Sequence, residues 1–217
     1  MQQFEQKGRE FLAVIDRIVN EKHADKTYLF NTLNQIRLRD NCHLALKLPI
    51  ESGLGDESRF YVYEGNIDPY LDSFEDCDWN EHGSNKIPHI FNDIEVERTP
   101  MGAWQAYLLM MSPTIMPVYW HGCYITRTMV FEISDIEKRI ACNLPRIYAS
   151  CLLDVKEDLA PKVTLDDDTA IVSCCYWNNW QGLVRESIEF TYDDNRIIAN
   201  KFIQRYVLYQ YHCGIIC

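Results

Sequence analysis

The sequence predicts an α+β fold in which a mainly antiparallel sheet, built from hairpins and a C-terminal meander, packs against a buried central helix and N-terminal helices. Three observations predict it. Apolar residues recur at helical spacing near the N-terminus and at the centre, they alternate with polar residues between turns in the C-terminal quarter, and strands and helices do not alternate along the chain. No Pro/Ser/Gly linker or internal repeat divides the 217 residues, so we expect one domain over residues 1–217.

The first 40 residues predict two helices. Apolar residues from Phe4 to Val19 share one face of the first, which we expect from about residue 2 to 21. The second is expected to begin at about Asp25 or Thr27 and to end near Arg39, where the helix dipole favours cations. Its apolar stripe is Leu29, Leu33 and Ile36.

A β-hairpin is predicted next. Apolar residues alternate with polar ones from Cys42 to Leu48, the period of a strand with one face in the core. The segment Arg59 to Glu64 (RFYVYE) is its natural partner across a loop that contains Gly53 and Gly55.

The segment 64–99 has no sustained periodicity, and it carries most of the net charge. Ten acidic residues against Lys86 and Arg98 give it −8 of the total of −11. This balance opposes nucleic acid or an anionic membrane as a partner, because phosphate binding needs clustered Lys and Arg. A basic protein partner is electrostatically favoured, and a solvated acidic loop is the simpler alternative.

An almost wholly apolar helix is predicted over residues 101–111. Thr99 and Pro100 suit the N-cap and first helical position, and Gln105 is the only strongly polar side chain that follows. A helix that is apolar on every side must be buried on every side. The Ser-Pro pair after Met111 is expected to interrupt it after about a dozen residues, short of the ~20 that span a bilayer.

A two-stranded ribbon is predicted from Val118 to Ile133, with its turn at His121 and Gly122. Its second strand carries apolar residues at alternate positions: Cys123, Ile125, Met129, Phe131 and Ile133. A Ser134 and Glu137 capping box then predicts a short helix. A further amphipathic helix is expected from Tyr148 to Leu159.

The C-terminal quarter predicts a β-meander over residues 162–211. Residues 170–177 are apolar on both faces, as in a central strand, and residues 184–192 alternate between apolar and polar. Residues 197–211 are rich in β-branched and aromatic residues, which favours a strand. A helix is the alternative there, because Ile198, Phe202, Tyr206 and Tyr209 also suit a helical stripe.

Catalytic and metal-binding signatures are weak. Asp76, Asp78 and Asn80 begin a calcium-loop pattern, but Glu81 stands where glycine is needed. Cysteine and histidine spacings match no zinc motif, and no G-x-S-x-G, P-loop or dinucleotide fingerprint occurs. We therefore expect no metal and no cofactor, and the catalytic residues, if the protein is an enzyme, are unknown. The nine cysteines, scattered and odd in number, are expected to be free thiols in a reducing compartment.

Two charges fall on otherwise apolar strand faces. Arg127 lies in line with Met129 and Phe131, and Glu186 in line with Ile188 and Phe190. A charge that faces a core must be paired or face a wet cavity. Either the two form a structural salt bridge, or they belong to a pocket in which Arg127 anchors an anion and Glu186 acts as an acid or base. The aromatic residues proposed to line that pocket are Trp104, Trp120, Tyr124 and Trp177.

Two functions follow from these features. The first is an interaction or inhibitor-type protein that uses the acidic, aromatic-rich segment against a basic protein. Its expected contact residues are Asp72, Glu75, Asp76, Asp78 and Trp79. The alternative is a small-ligand-binding α+β domain or enzyme with the Arg127 and Glu186 pocket. The absence of a secretory signal and of a membrane span makes the cytoplasm the expected compartment, and the sequence does not indicate the oligomeric state.

Overall fold

The computed structural model describes residues 2–20, 25–47, 59–65, 89–116, 126–140 and 155–211. Three α-helices lie in these ranges: α1 (Gln2–Asn20), α2 (Pro100–Ile115) and α3 (Ile133–Ile140). Two short 3₁₀ helices cover Thr27–Asn31 and His89–Asn92. The nine strands are β1 (Ile36–Leu38), β2 (Cys42–Lys47), β3 (Arg59–Glu64), β4 (Ile94–Val96), β5 (Thr128–Val130), β6 (Lys162–Leu165), β7 (Thr169–Asn178), β8 (Gly182–Asp193) and β9 (Arg196–Gln210).

All the strand pairs are antiparallel, so the α+β class with a C-terminal meander is confirmed. Strands β1 and β4 form one small sheet, and β2 and β3 form the predicted hairpin. The main sheet has five strands. β7 pairs along one side with β5 and β6 and along the other with β8, and β8 pairs with β9. Among the described residues, β9 is therefore the outer strand of this sheet.

The main sheet has two unequal faces. On one, which we call the core face, alternate residues of β7 and β8 join α1 and α2 in the main hydrophobic core; Val172, Ile188 and Phe190 are examples. On the opposite face, Trp177 and Leu183 belong to a smaller apolar cluster with α3. The period of two predicted for residues 184–192 matches this division from Glu186 onward, where burial alternates along the strand.

Helix α2 is the buried centre of the fold, as its apolar sequence predicts. The Thr99 hydroxyl accepts a hydrogen bond from Gly102 N at 2.9 Å and caps the helix. The prediction that Ser112 and Pro113 end the helix is wrong, since α2 continues to Ile115. Pro113 cannot donate to the Leu109 carbonyl, but the Ser112 hydroxyl donates to that oxygen at 2.6 Å, so the acceptor is satisfied within the helix.

The prediction of a second N-terminal α-helix is also wrong. Only one turn, Thr27–Asn31, is helical, and the segment that follows becomes β1. Ile36 pairs with Val96 and Leu38 with Ile94 in the small sheet. Ile36, the last residue of the expected helical stripe, thus pairs with a strand 60 residues away in the sequence, which local spacing does not reveal.

The ribbon predicted over Val118 to Ile133 is only partly described, because residues 117–125 lie outside the described ranges. Strand β5 ends at Val130, and Ile133 starts α3 instead of continuing the strand. The cap of α3 is also not the predicted one. The Asp135 carboxylate accepts hydrogen bonds from the backbone N–H groups of Phe131 and Glu132, at 2.9 and 3.1 Å.

Two differences concern the approach to the C-terminal sheet. Of the helix predicted up to Leu159, residues 155–160 are not helical, and the remainder lies outside the described residues. Strand β6 lies within the meander predicted over residues 162–211 but was not identified as a separate strand, and it pairs with the first half of β7. The turn at 178–182, the turn at 193–195 and the strand conformation of 197–210 agree with the sequence prediction.

Candidate functional site

The structure leaves several predicted site residues undescribed. The acidic contact residues Asp72, Glu75, Asp76, Asp78 and Trp79, and the pocket residues Trp120 and Tyr124, lie outside the described ranges. Arg127, Glu186, Trp104 and Trp177 are described. The candidate site is therefore built from the sheet and from α2.

Arg127 and Glu186 lie together on the core face of the sheet. Arg127 Nη1 donates to both oxygens of Glu186, at 3.0 and 3.2 Å, across the intervening strand β7. Glu186 is fully buried and Arg127 nearly so. The guanidinium of Arg127 also lies over the ring of Tyr176, 4.3 Å from its centroid.

A third charge, which the sequence analysis did not single out, completes the group. Arg205 on β9 donates to Glu186 Oε2 from Nη2 and Nε, at 2.9 and 3.2 Å. Its guanidinium packs over Phe202 on the same strand, 4.6 Å from the ring centroid. We call Arg127, Glu186 and Arg205 the ion-pair cluster. The register of β8 with β9 puts Arg205 directly opposite Glu186, so a correct strand pairing was the only signal that could have found it.

Arg127 and Glu186 have buried surroundings, whereas Arg205 is partly exposed. Burial raises the pKa of Tyr176 and holds that of Tyr107 well above its ordinary value, and the nearby charge of Glu186 acts in the same direction. The Tyr176 hydroxyl is buried without a hydrogen bond of acceptable geometry in the described structure. Burial by itself would lower the pKa of Arg127. The charge of Glu186 and neighbouring groups raise it by more, so the net shift of this pKa is upward.

The chemistry open to this cluster is limited. Two guanidinium groups surround one carboxylate, and both carboxylate oxygens accept hydrogen bonds from them. Because both oxygens already accept hydrogen bonds from arginines, a substrate would have to displace an arginine to reach them. The arrangement is well suited to tying β5, β8 and β9 together and to fixing the side chains of Arg205 and Phe202.

The two described tryptophans of the predicted pocket lie elsewhere. Trp104 is buried in α2, where it stacks on Tyr107 at 5.5 Å and donates to the Phe4 carbonyl at 2.8 Å. Trp177 is on the opposite face of the sheet from Glu186 and stacks on Tyr209 at 6.3 Å. Neither shares a hydrogen bond or a ring contact with the ion-pair cluster.

The two adjacent cysteines of β7 point to opposite faces, as a strand requires. Cys174 belongs to the main core and Cys175 to the smaller cluster. Burial raises the pKa of both thiols, so at neutral pH they are protonated and poorly nucleophilic.

The outer strand β9 presents the most distinctive surface. Most of the large apolar side chains that the described structure leaves exposed lie on this one strand, and we call them the β9 edge residues. They are Ile198, Phe202, Ile203, Tyr206 and Val207. Phe202 and Ile203, near the middle of the strand, are 44% and 43% exposed. Isolated exposed apolar side chains are normal, but a row along one edge strand is not.

The edge residues project on both sides of the sheet. Phe202 lies opposite the core-face residue Ile188, whereas Tyr206 lies opposite Arg185, which faces the other way. Three register shifts, between 183/184, 187/188 and 191/192 of β8, each give β9 one extra residue. Such bulges increase the twist of a strand and are common at sheet edges. The outer backbone groups of residues 197–208 have no partner strand in the described structure.

The charges of β9 are all positive. Arg196, Lys201 and Arg205 lie on a strand without an acidic residue, in a chain whose net charge is −11. Each has an acidic neighbour on β8 or in the turn. Arg196 donates to Asp193 at 3.0 Å, Arg205 to Glu186, and Lys201 lies opposite Glu189. The edge is therefore close to neutral, with its apolar residues between the charges.

Metal binding and membrane spanning find no support in the described residues. They contain no group of three or more His, Cys, Asp or Glu side chains arranged to hold a metal ion. No helix among them is both long enough and apolar enough to cross a bilayer. Comparison of the chain with protein-family models, with curated proteins and with solved structures finds no match.

Proposed function

We propose that this chain is an interaction protein whose contact surface is the outer edge of β9, where a strand of another polypeptide adds to the five-stranded sheet. The observation that carries the proposal is the row of five exposed apolar side chains on one fifteen-residue outer strand. Edge strands of proteins that stay apart are normally short, charged or interrupted by proline. β9 is long and has no proline, and its three cations and three bulges still leave five large apolar side chains exposed.

Strand addition uses two features that β9 combines. The unpaired backbone groups of an edge supply hydrogen bonds to the incoming strand, and side chains on alternate positions supply selectivity. In β9, apolar side chains lie on both faces of the sheet, which suits a strand that has a neighbour on each side. The ion-pair cluster supports this surface, because Glu186 holds Arg205 and Arg205 packs on Phe202.

The pocket hypothesis receives less support from the same geometry. An anion at Arg127 would have to compete with Glu186, which already accepts hydrogen bonds from that guanidinium. To act as an acid or base, Glu186 would have to break its ion pairs with Arg127 and Arg205. Both steps leave a buried charge without its partner, which is costly.

The test is capture of a bound polypeptide by the tagged chain, before and after the edge is made charged. We expect Ile203→Lys with Val207→Lys to abolish the complex, because each replaces an apolar contact with the side chains of the added strand by an ammonium group. Trp180→Lys is the matched control. Trp180 is 46% exposed in the turn between β7 and β8 and is not one of the β9 edge residues, so its replacement should leave the complex intact. Capture that survives the paired substitution, or that is absent with the unaltered chain, contradicts the proposal.

The acidic segment remains a second hypothesis, favoured by its charge of −8. Replacing Asp72, Glu75, Asp76 and Asp78 with Asn or Gln should abolish a complex with a basic protein, and added salt should weaken that complex in the unaltered chain. A complex made by strand addition depends on backbone hydrogen bonds and apolar contact, so moderate salt should leave it unchanged. Salt dependence therefore separates the two surfaces, and an unchanged, salt-insensitive pull-down of the neutralised variant rules out the acidic one.

A further inference from the structure

We infer that the strand which pairs with β9 belongs to a second copy of this chain, placed antiparallel about a two-fold axis. The two five-stranded sheets then form one sheet of ten strands. The inference rests on the proposed function and adds the identity of the partner. The inference is based on the positions of the charged residues, aromatic rings and bulges along β9. These positions allow β9 of one copy to pair with β9 of a second copy.

The register with β8 establishes which face each edge residue occupies. Phe202 and Arg205 lie opposite Ile188 and Glu186, so both are on the core face. Lys201 and Tyr206 lie opposite Glu189 and Arg185 and are therefore on the other face. Two copies related by an axis perpendicular to the sheet keep these faces in common, so residues that meet across the axis must belong to the same face.

An axis between Ile203 and Gln204 satisfies this condition. It places Arg205 of one copy opposite Phe202 of the other on the core face, and Lys201 opposite Tyr206 on the second face. Each cation then meets an aromatic ring rather than another cation, an arrangement that is attractive at an edge. The competing axis at Arg205 brings two arginines together and is disfavoured by their charge.

The same axis uses most of the strand. Residues 199–208 of one copy lie opposite residues 208–199 of the other, so ten of the fifteen residues of β9 gain a neighbour. The extra residues of the bulges, read from the register, are Ile198, Ile203 and Leu208. They are evenly spaced about the middle of β9, so the twists of two antiparallel copies match.

A strand from an unrelated protein would need its own matching twist and apolar pattern. A second copy supplies both, and it adds no like charge directly opposite Arg205 or Lys201. Because a two-fold contact is closed, it predicts a dimer and no larger assembly.

The experiment is sedimentation velocity, with light scattering, of the full chain over a wide range of protein concentration. The expected result is a particle of twice the 25.6 kDa chain mass that dissociates on dilution. Ile203→Lys with Val207→Lys should remain at the single-chain mass at every concentration, with an unchanged circular dichroism spectrum. Trp180→Lys should dimerise like the unaltered chain. Hydrogen exchange of the β9 amides should slow as the unaltered chain is concentrated.

Each other outcome overturns the inference. A chain that stays at its single mass has no self-pairing edge, and if it nevertheless captures a different polypeptide through β9, the proposed function survives alone. A dimer that persists in the paired lysine variant uses another surface. Assemblies that grow beyond two copies exclude a closed two-fold contact.

Discussion

Strands β7 and β9 are similar in composition and opposite in environment. Both are rich in β-branched, aromatic and other apolar residues, and both belong to the same sheet. β7 has neighbours along both sides, and most of its second half is buried. β9 pairs only with β8 in the described structure and is exposed from residue 201 to 207.

The difference shows that apolar content alone does not determine burial; position in the sheet does. A strand that is apolar on both faces is normally buried on both faces. β7 meets that expectation and β9 does not, unless a further strand covers its outer side. In the described structure β7 has a strand on each side, whereas β9 has a strand on one side only. This contrast is the physical reason for the interaction proposal.

The largest effect is expected from a matched pair of phenylalanines on the core face. Phe190 on β8 is fully buried against Phe91, whereas Phe202 on β9 is exposed. Phe190→Ala should lower the free energy of unfolding by about 3–5 kcal/mol. Phe202→Ala should change it by about 0.5 kcal/mol or less in dilute solution.

Guanidinium denaturation of both variants at low protein concentration measures this difference. Equal losses would mean that β9 is as buried as β8 even in the isolated chain. A loss for Phe202→Ala that appears only at high concentration would instead support self-association.

A second comparison concerns the ion-pair cluster, which joins the interior strands to β9. Glu186→Gln should lower the free energy of unfolding by about 3 kcal/mol, because it leaves the guanidinium of Arg127 buried without a countercharge. Arg205→Met should cost roughly 1 kcal/mol, since Arg205 is partly exposed and Glu186 keeps its bond to Arg127. Urea unfolding checks both values, and a larger loss for Arg205→Met would reverse the assigned roles.

A separate ion pair links α1 to the start of α3. Asp135 accepts from Arg9 Nη1 at 2.6 Å. Burial raises the pKa of Asp135, but the hydrogen bonds from Arg9, Phe131 and Glu132, with the charge of Arg9, outweigh it and lower the pKa below its usual value. The ionised carboxylate is therefore favoured in the folded state.

Asp135→Asn should cost about 1.5 kcal/mol at neutral pH. Because the folded pKa lies below the unfolded value of about 3.9, the carboxylate stabilises the fold fully above that value and stops doing so as the pH falls through the folded pKa. The stability gap between the two proteins should thus be constant near neutrality and narrow below about pH 4. Unfolding curves measured across this range test it, and a gap that widens in acid would contradict the sign.

The smallest effect is expected at the exposed end of β9. Arg196 and Asp193 form an ion pair at 3.0 Å in which both side chains are mostly exposed. Arg196→Gln should change the free energy of unfolding by less than about 0.5 kcal/mol, because water and salt screen such pairs. Thermal unfolding at low salt is the measurement, and a loss as large as that of Asp135→Asn would show that this end of β9 is buried.

The sequence by itself determined the elements whose evidence is local. The amphipathic period of α1, the alternation in β2 and β3, and the turns between β7, β8 and β9 each act within a few residues. The Thr99 cap of α2 is likewise a contact between residues three apart. For the same reason the sequence placed Glu186 correctly on the apolar face of a strand, whereas Arg127 lies directly before β5.

Only the tertiary structure decided which strand lies at the edge and which segment becomes a strand. Ile36–Leu38 joins β4 from almost 60 residues away, and Arg205 completes the ion pair of Arg127 and Glu186 across the β8 register. The physical reason is that side-chain period reports how a segment can fold, whereas burial depends on which distant segment covers it. β9 has the composition of an interior strand, and only its place in the sheet leaves it open to a partner.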